Sequence, residues 1–233
     1  MPTEGFVDPR DELRIEWSFD AEGPTVHDGA GPAEDLALAG GQWVMDEALP
    51  YLQLDGIDDV GVGPDLQAWL PTLEAVTLEA LVRIDAQPGS WDRRPIVTVP
   101  QSSQSGNYSL SLDVYTEAER LQLGLVAGDE HVQVYADAAY VPGEWVTVHG
   151  VYDGETATLY VDGQPVAEPS PLSGALDAHD FDEGRQEIRV GGPSDAYLAC
   201  GLASLRIYGR ALAPEEVVHR NRQLAAAASE GEP

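Results

Sequence analysis

The chain has 233 residues, of which 43% are hydrophobic, so it is long enough to bury one sizeable core. A single cysteine excludes an internal disulfide, and 12 basic against 41 acidic residues, a formal net charge of −29, exclude the basic stripe that nucleic-acid binding needs. No apolar run approaches the roughly 20 residues that span a bilayer, and the first residues lack the pattern of a signal peptide. We expect no nucleic-acid partner and no membrane insertion.

The acidic excess is the strongest compositional signal. All 12 basic residues are arginine. In dilute buffer so much charge of one sign repels itself and destabilises the compact state, whereas at about 1 M salt the Debye length is about 3 Å and the repulsion is screened. The composition therefore favours a protein from a halophilic source. The alternative is an acidic surface on a protein from an ordinary GC-rich genome.

Short runs of β-favouring residues alternate with turn signals along most of the chain, as is typical of a sandwich. Within residues 77–84 most apolar side chains recur at every second position, which is the period of a half-buried strand. Asp153-Gly154 is a hairpin signal that joins antiparallel neighbours. The predicted strands are 13–19, 51–54, 77–84, 96–99, 108–114, 121–126, 132–135, 145–152, 156–161, 188–190 and 198–208.

The end of the sequence predicts one helix, which begins at Pro214 and has two glutamates in its first turn. The Gly- and Asp-rich residues 20–41 are expected to form a long connection, and no linker divides the chain into two cores. We therefore predict a single domain over residues 1–222, with its core at about 13–222. An acidic, Ala-rich flexible tail is predicted at 223–233.

Four segments, in the order in which they occur, carry a family resemblance. They are residues 13–20 (LRIEWSFD), 51–60 (YLQLDGIDDV), 145–163, beginning WVTVHGVYDG, and 201–217, beginning GLASLRIYGRAL. Together they resemble the laminin-G-like, concanavalin A-like jelly-roll superfamily over most of the chain. The resemblance implies an all-β fold, a two-sheet antiparallel jelly-roll sandwich with a short C-terminal helix. It also implies a domain that binds glycans, proteins or cell surfaces, but one fold hosts many functions.

Some members of this superfamily bind calcium through acidic loops, and calcium takes about six to eight oxygen ligands. Where the fourth segment usually carries an acidic pair, this chain has Ala203 and Ser204. Asp55, Asp58 and Asp59 remain available as ligands, although we favour a polar turn that hydrogen-bonds its own backbone. We predict no cofactor and no metal site, and leave calcium open.

The same superfamily contains glucanases, and retaining glycosidases place two carboxylates about 5 Å apart. The laminarinase-type members carry them as E-x-D-x-x-E along one strand, a spacing that is absent from this sequence. A nucleophile elbow, a His-Glu-x-x-His pair and a phosphate-binding glycine loop are absent too. The five histidines are scattered without ligand spacing. We therefore predict that the chain is not an enzyme.

Two tryptophans in loop-like segments are candidates for ligand binding. An exposed indole offers a sugar ring a flat apolar face and one N–H donor. Trp91 precedes an Asp-Arg-Arg run, and arginine pairs with carboxylates through two hydrogen bonds. The alternative for each tryptophan is that it caps one end of the core. The predicted ligand-binding residues are Trp91, Asp92, Arg93, Arg94 and Trp69.

These observations favour a carbohydrate-binding or cell-surface-binding domain from a halophilic source. The predicted partner is a glycan or a cell-surface polymer, and the predicted location is outside a cell or on a particle surface. The alternative is a structural or assembly protein, such as a virion surface or tail component, that uses the sandwich for protein contacts. A homo-oligomer is compatible with either function.

Overall fold

The computed structural model describes residues 12–31, 34–45, 49–66, 70–87, 93–100, 108–127, 130–176, 187–192 and 196–229. Most of this part of the chain is short strands separated by turns. The strands are β1 (Leu13–Ser18), β2 (Thr25–Val26), β3 (Leu36–Ala39), β4 (Gln42–Val44), β5 (Tyr51–Asp55), β6 (Val60–Asp65), β7 (Val76–Ile84), β8 (Arg93–Pro100), β9 (Tyr108–Tyr115), β10 (Arg120–Ala127), β11 (Glu130–Ala136), β12 (Trp145–Tyr152), β13 (Thr156–Val161), β14 (Gln164–Pro165), β15 (Ser170–Pro171), β16 (Glu187–Val190) and β17 (Ala199–Tyr208). Short 3-10 turns cover Leu70–Thr72 and Glu117–Glu119, and the α-helix α1 covers Pro214–Ser229.

The described strands form two antiparallel sheets. The nine-stranded sheet has the order β14-β13-β12-β7-β17-β5-β4, with β1 also paired to β17 and β15 to β13. The eight-stranded sheet has the order β11-β10-β9-β8-β16-β6-β3-β2. The predicted two-sheet jelly-roll sandwich with a C-terminal helix is therefore confirmed.

The core lies between the two sheets, where alternate residues of each strand place apolar side chains. Trp17 of β1 and Leu112 of β9 belong to it and are almost completely buried. Two glycines mark places where the sheets approach closely. A Cβ atom on Gly150 would lie 2.5 Å from Leu123 of the opposite sheet, and one on Gly63 would lie 2.8 Å from the Trp17 ring. Any larger residue at these positions would force the sheets apart.

Every predicted strand is present, but several short strands were missed. The prediction of a long connection over residues 20–41 is wrong in part, because β2 and β3 pair with each other there and β3 pairs with β6. Strand β4, which pairs with β5, was also missed. Strands β2, β3 and β4 have two to four residues, too few for a clear alternation of polar and apolar positions.

The C-terminal helix begins at Pro214, as predicted. The Glu216 carboxylate accepts a hydrogen bond from the Ala213 backbone N–H at 2.8 Å and pairs with Arg210 at 2.8 Å. An acidic group that satisfies a free N–H in the first turn also interacts favourably with the helix dipole. This arrangement explains why the helix starts at the predicted residue.

The helix extends further than predicted. Residues 223–229 are helical, so the predicted flexible tail over 223–233 is wrong for this part. Leu224 is buried in a small apolar cluster with Leu81 and Ala203 of the nine-stranded sheet, and this contact favours continuation of the helix. In the part of the chain that the structure describes, we find no helix with the length and apolar content of a membrane span.

A buried carboxylate joins the helix to the outward face of the nine-stranded sheet. Glu79 of β7 is fully buried and lies opposite His149 of β12 and Arg206 of β17. Arg206 Nη1 and Arg220 Nη2 of α1 each lie 2.8 Å from Glu79 Oε1, and His149 Nε2 lies 3.3 Å from Oε2. Burial raises the pKa of Glu79, but its bonds to His149 and Arg220 outweigh this, so the pKa lies well below its usual range.

We expect Glu79→Gln to lower the free energy of unfolding by about 3–5 kcal/mol at neutral pH, because it leaves the half-buried Arg220 without a carboxylate and Arg206 with Glu16 alone. The lowered pKa means that the Glu79 contribution is present above the unfolded value of about 4.3 and is lost as the pH falls toward the folded value. The difference between wild type and variant should therefore shrink as the pH falls below about 4.

Chemical denaturation from pH 3 to 7 measures this difference. Glu155→Gln is the matched control, since Glu155 is exposed, and it should change the free energy by no more than about 0.5 kcal/mol. Equal stability of the two variants at pH 7 would contradict the assignment of Glu79 as the group that holds the helix.

Candidate functional site

The outward face of the eight-stranded sheet carries polar side chains on neighbouring strands. Directly opposite residues of antiparallel strands share a face. Ser111 of β9 lies between Gly124 of β10 and Thr98 of β8, and two residues along, Asp113 lies opposite Gln122. We call the outward residues of this region the polar sheet face; they are Arg93, Thr98, Ser111, Asp113, Tyr115, Arg120, Gln122, Gly124, His131, Gln133, Tyr135 and Arg189.

Asp113 lies at the centre of the polar sheet face and is fully buried. Its Oδ2 atom accepts hydrogen bonds from Arg93 Nη2 at 2.9 Å, Ser111 Oγ at 2.8 Å and Gln122 Nε2 at 3.1 Å. Burial raises the pKa of Asp113, and the charge of Arg93 offsets only part of this rise. A carboxyl group perturbed by burial and by one specific charge is typical of functional sites.

Several polar oxygens around Asp113 are buried without a hydrogen-bond partner among the described residues. They are Thr98 Oγ1, Asp113 Oδ1 and Gln122 Oε1, on three adjacent strands. Buried polar atoms are nearly always paired, so such a cluster requires an explanation. Gly124 leaves space for the polar side chains around Asp113, since a Cβ atom there would lie 2.8 Å from Ser111 Oγ and 3.1 Å from Gln122 Nε2.

Two tyrosines at one side of the polar sheet face present partly exposed rings. Tyr115 and Tyr135 meet edge to face, with ring centroids 6.1 Å apart. The Arg120 guanidinium lies 5.2 Å from the Tyr135 centroid and 6.0 Å from that of Tyr115, and it pairs with Asp137. The stacked cation helps to fix the rings. Tyr135 is 39% exposed, so a flat apolar surface stands beside the charged groups.

The pKa values around Asp113 indicate partial desolvation of this face. Burial raises the pKa of Tyr115 to about 12. Partial burial, followed by the positive charge of Arg93, lowers the pKa of His131. Both side chains are therefore neutral at pH 7, and arginines carry the positive charge of the polar sheet face.

The structure brings one of the predicted site residues into the polar sheet face. Arg93 begins β8, pairs with Asp113 and has a side chain that is 25% exposed. Arg94 is 2% exposed, and its Nη1 atom donates to the Tyr197 backbone carbonyl. The expectation that both arginines lie in a loop is wrong, because the strand already begins at Arg93. The other predicted residues, Trp69, Trp91 and Asp92, lie outside the described residues.

Sequence reasoning missed Asp113, Ser111 and Gln122, although it predicted their strands. The alternation of polar and apolar residues over 108–115 was a signal for the outward face. An aspartate within a strand, where this residue is disfavoured, was a second signal. The register that places Gln122 opposite Asp113 depends on the pairing of two strands and cannot be read from one of them.

The acidic turn after β5 makes backbone contacts of its own. The ligating atoms of Asp55, Asp58 and Asp59 lie within 4.8 Å of one another. Asp59 Oδ1 accepts from the Gly41 N–H at 2.7 Å, and its Oδ2 accepts from the Asp55 N–H at 2.9 Å. Asp55 Oδ1 accepts from the Ile57 N–H at 2.7 Å. These are the contacts of the polar turn that the sequence favours.

The comparison with protein families agrees with the fold. A model of the laminin-G-type family described as the concanavalin A-like lectin/glucanases superfamily matches residues 56–218, which is more than half of the chain. The chain belongs to this superfamily. A comparison with curated proteins gives no match.

Solved structures similar to the chain come from larger proteins. Trypanosoma rangeli sialidase, in complex with 2,3-difluoro-KDN, gives a TM-score of 0.70 at 18% identity over 94% of this chain and 33% of its own. The binding domain of botulinum neurotoxin DC, in complex with rat synaptotagmin II, gives a TM-score of 0.68 at 13% identity over 93% of this chain and 52% of its own. The chain thus spans about a third of the sialidase, and at these identities the likeness shows the fold alone.

The sialidases correct one prediction from the sequence. The prediction that the chain is not an enzyme is contradicted, because solved structures that share its fold are enzymes. The prediction rested on missing motifs of other enzymes of the superfamily, and the absence of those motifs does not exclude catalysis by other residues. The likeness itself assigns no activity to this chain.

We expect Gly124→Ala to lower the free energy of unfolding by about 1–3 kcal/mol, because its Cβ atom must displace the Ser111 hydroxyl and the Gln122 amide. Gly23→Ala is the matched control, since a Cβ atom there makes only ordinary contacts, the nearest at 3.5 Å. Denaturant titration of both variants measures the difference. If the two variants are equally stable, the groups around Asp113 are not tightly packed.

Proposed function

We propose that the polar sheet face is a carbohydrate-binding surface. The observation that carries the proposal is the 39% exposed ring of Tyr135, held by Arg120 beside the hydrogen-bonding groups around Asp113. Sugar rings have one apolar face and a rim of hydroxyl groups, so they bind where an aromatic ring and fixed polar groups lie side by side. Membership of the lectin/glucanase superfamily supports the same function.

The buried groups give this surface its rigidity. Asp113 fixes Arg93 through an ion pair at 2.9 Å, so the exposed part of the guanidinium is oriented before a ligand arrives. The pair lies on adjacent strands of a sheet, and sites on rigid elements lose less entropy on binding. The proposed ligand contacts are therefore Tyr135 for the apolar face of a sugar and Arg93 for its oxygens.

Besides Arg93, the proposal keeps two residues predicted from the sequence. Trp91 and Asp92 directly precede Arg93 in the chain, so they adjoin the first residue of β8. We propose that Trp91 and Asp92 contact the ligand as well. A glycan ligand also supports a location outside a cell or on a particle surface, because polysaccharides coat such surfaces.

We expect Tyr135→Ala to weaken glycan binding by about 1–3 kcal/mol, the range of an aromatic anchor at an interface. Tyr135→Phe is the control, since it keeps the ring and should retain most of the affinity. A glycan array at about 2 M salt identifies the ligand, and calorimetry with that ligand measures both variants. Unchanged affinity of Tyr135→Ala would place the binding surface elsewhere on the molecule.

The proposal includes a halophilic source, which the net charge of −29 supports. We expect the melting temperature to rise by several degrees between 0.1 M and 2 M salt, because screening removes self-repulsion. A control variant with five exposed glutamates changed to glutamine should show a weaker dependence; these residues are Glu22, Glu144, Glu155, Glu168 and Glu215. A melting temperature that is independent of salt would contradict this part of the proposal.

A second candidate function is protein binding. The observation that favours it is the likeness to the binding domain of botulinum neurotoxin DC, which was solved in complex with rat synaptotagmin II. A chain that uses its sandwich for assembly should form oligomers, or bind a protein, in the salt at which it is stable. The absence of any bound glycan on the array, together with a defined oligomer in the same buffer, would favour this function over carbohydrate binding.

A further inference from the structure

One arginine of the polar sheet face has no ion pair with any residue that the structure describes. Arg189 of β16 lies opposite Thr98 of β8 and is half-buried. No carboxylate among the described residues forms an ion pair with it, and the chain has 41 acidic residues. Arg14 and Arg222 are also unpaired in the part of the chain that the structure describes, but they are exposed and solvated by water.

The neighbours of Arg189 make its position unusual. Thr98 Oγ1, on the adjacent strand, is buried without a hydrogen-bond partner among the described residues. A guanidinium is donor only, whereas a hydroxyl group both donates and accepts. Thr98 is fully buried, so Arg189 is the group of this pair that a ligand can reach. A half-buried arginine with no ion pair among the described residues is therefore a ready site for a carboxylate.

We propose that the polar sheet face takes a carboxylated oligosaccharide and that Arg189 pairs with the sugar carboxylate. This inference rests on the proposed carbohydrate-binding function and names its ligand class. The carboxylate receives a two-pronged contact from the Arg189 guanidinium. A sugar ring further along the face stacks on Tyr135.

The dimensions of the polar sheet face fit more than one sugar ring. Arg189 lies on β16 and Tyr135 on β11, four strand spacings apart in the order of the sheet. With about 4.8 Å between neighbouring strands, the distance across the sheet is about 19 Å. A monosaccharide does not reach both residues, so the ligand is an oligosaccharide or a polymer.

The charge of the whole chain gives this site a distinctive dependence on salt. At low salt the net charge of −29 repels an anionic ligand, and about 1 M salt screens this repulsion beyond about 3 Å. The contact with Arg189 is direct and partly buried, so it is screened much less. Binding of a carboxylated sugar should therefore strengthen between 0.1 M and 1 M salt, the reverse of what a basic patch on a neutral protein shows.

The experiment compares carboxylated oligosaccharides with their neutral counterparts. Galacturonate, glucuronate and mannuronate oligomers, each beside the same oligomer with its carboxyl groups reduced to alcohols, are titrated into the full chain at 0.1 M, 1 M and 2 M salt. We expect at least one acidic oligomer to bind roughly tenfold or more tightly than its reduced form. Arg189→Gln should lower the affinity for the acidic oligomer roughly ten- to a hundredfold. The affinity for the reduced oligomer should stay unchanged.

Two further variants separate charge, geometry and folding. Arg189→Lys keeps the charge but loses the planar fork, so it should recover only part of the affinity. Arg222→Gln removes an exposed arginine from α1 and should leave the affinity for both oligomers unchanged. Equal binding of acidic and reduced oligomers, with loss in Tyr135→Ala, would overturn this inference and leave the proposed function standing. Failure of every acidic and neutral glycan to bind the polar sheet face would overturn both.

Discussion

The ion-pair network around Glu79 determines which sheet face is available to a ligand. Glu79 is fully buried, and its oxygens lie within 3.3 Å of nitrogens from two strands and from the helix. Because Arg220 belongs to α1, satisfying this carboxylate requires the helix to lie on the nine-stranded sheet. A buried carboxylate without its cations would be strongly unfavourable. The helix therefore covers the outward face of one sheet, and the opposite outward face, on the eight-stranded sheet, carries the polar sheet face.

The outward face of each sheet contains one buried carboxyl group. Glu79 stabilises the fold, whereas Asp113 lies in the candidate site. Glu79 has a lowered pKa, because its hydrogen bonds and ion pairs outweigh the effect of burial. Asp113 has a raised pKa, because burial raises it more than Arg93, Ser111 and His131 together lower it. One oxygen of Asp113 accepts all three of its described hydrogen bonds, and the other has none among the described residues. The first arrangement is complete without a ligand; the second leaves buried acceptors unpaired.

The sequence predicts the fold well because the fold depends on local pattern. Strand β12 and strand β13 were predicted with their observed ends, since apolar residues and the Asp153-Gly154 turn define both. Strands β2 and β4 were missed because two or three residues carry no period. The candidate site was predicted poorly for a different reason. Arg93 was identified, but its partner Asp113 is 20 residues away, and only the register of β8 and β9 joins them.

The proposed class of ligand, a carboxylated sugar, rests on which arginines of the chain pair with a carboxylate. With 41 acidic residues and 12 basic ones, a carboxylate is available almost everywhere on this chain. Arg83, Arg120, Arg206, Arg210 and Arg220 all pair with one. A half-buried arginine left without a carboxylate gives up stability that a single nearby Asp or Glu would restore. Residues that break a local rule in this way are expected at functional sites, where the missing partner is supplied from outside. For Arg189, which has no ion pair among the described residues and shares its sheet face with an exposed tyrosine, we propose that this partner is an anion carried on a sugar.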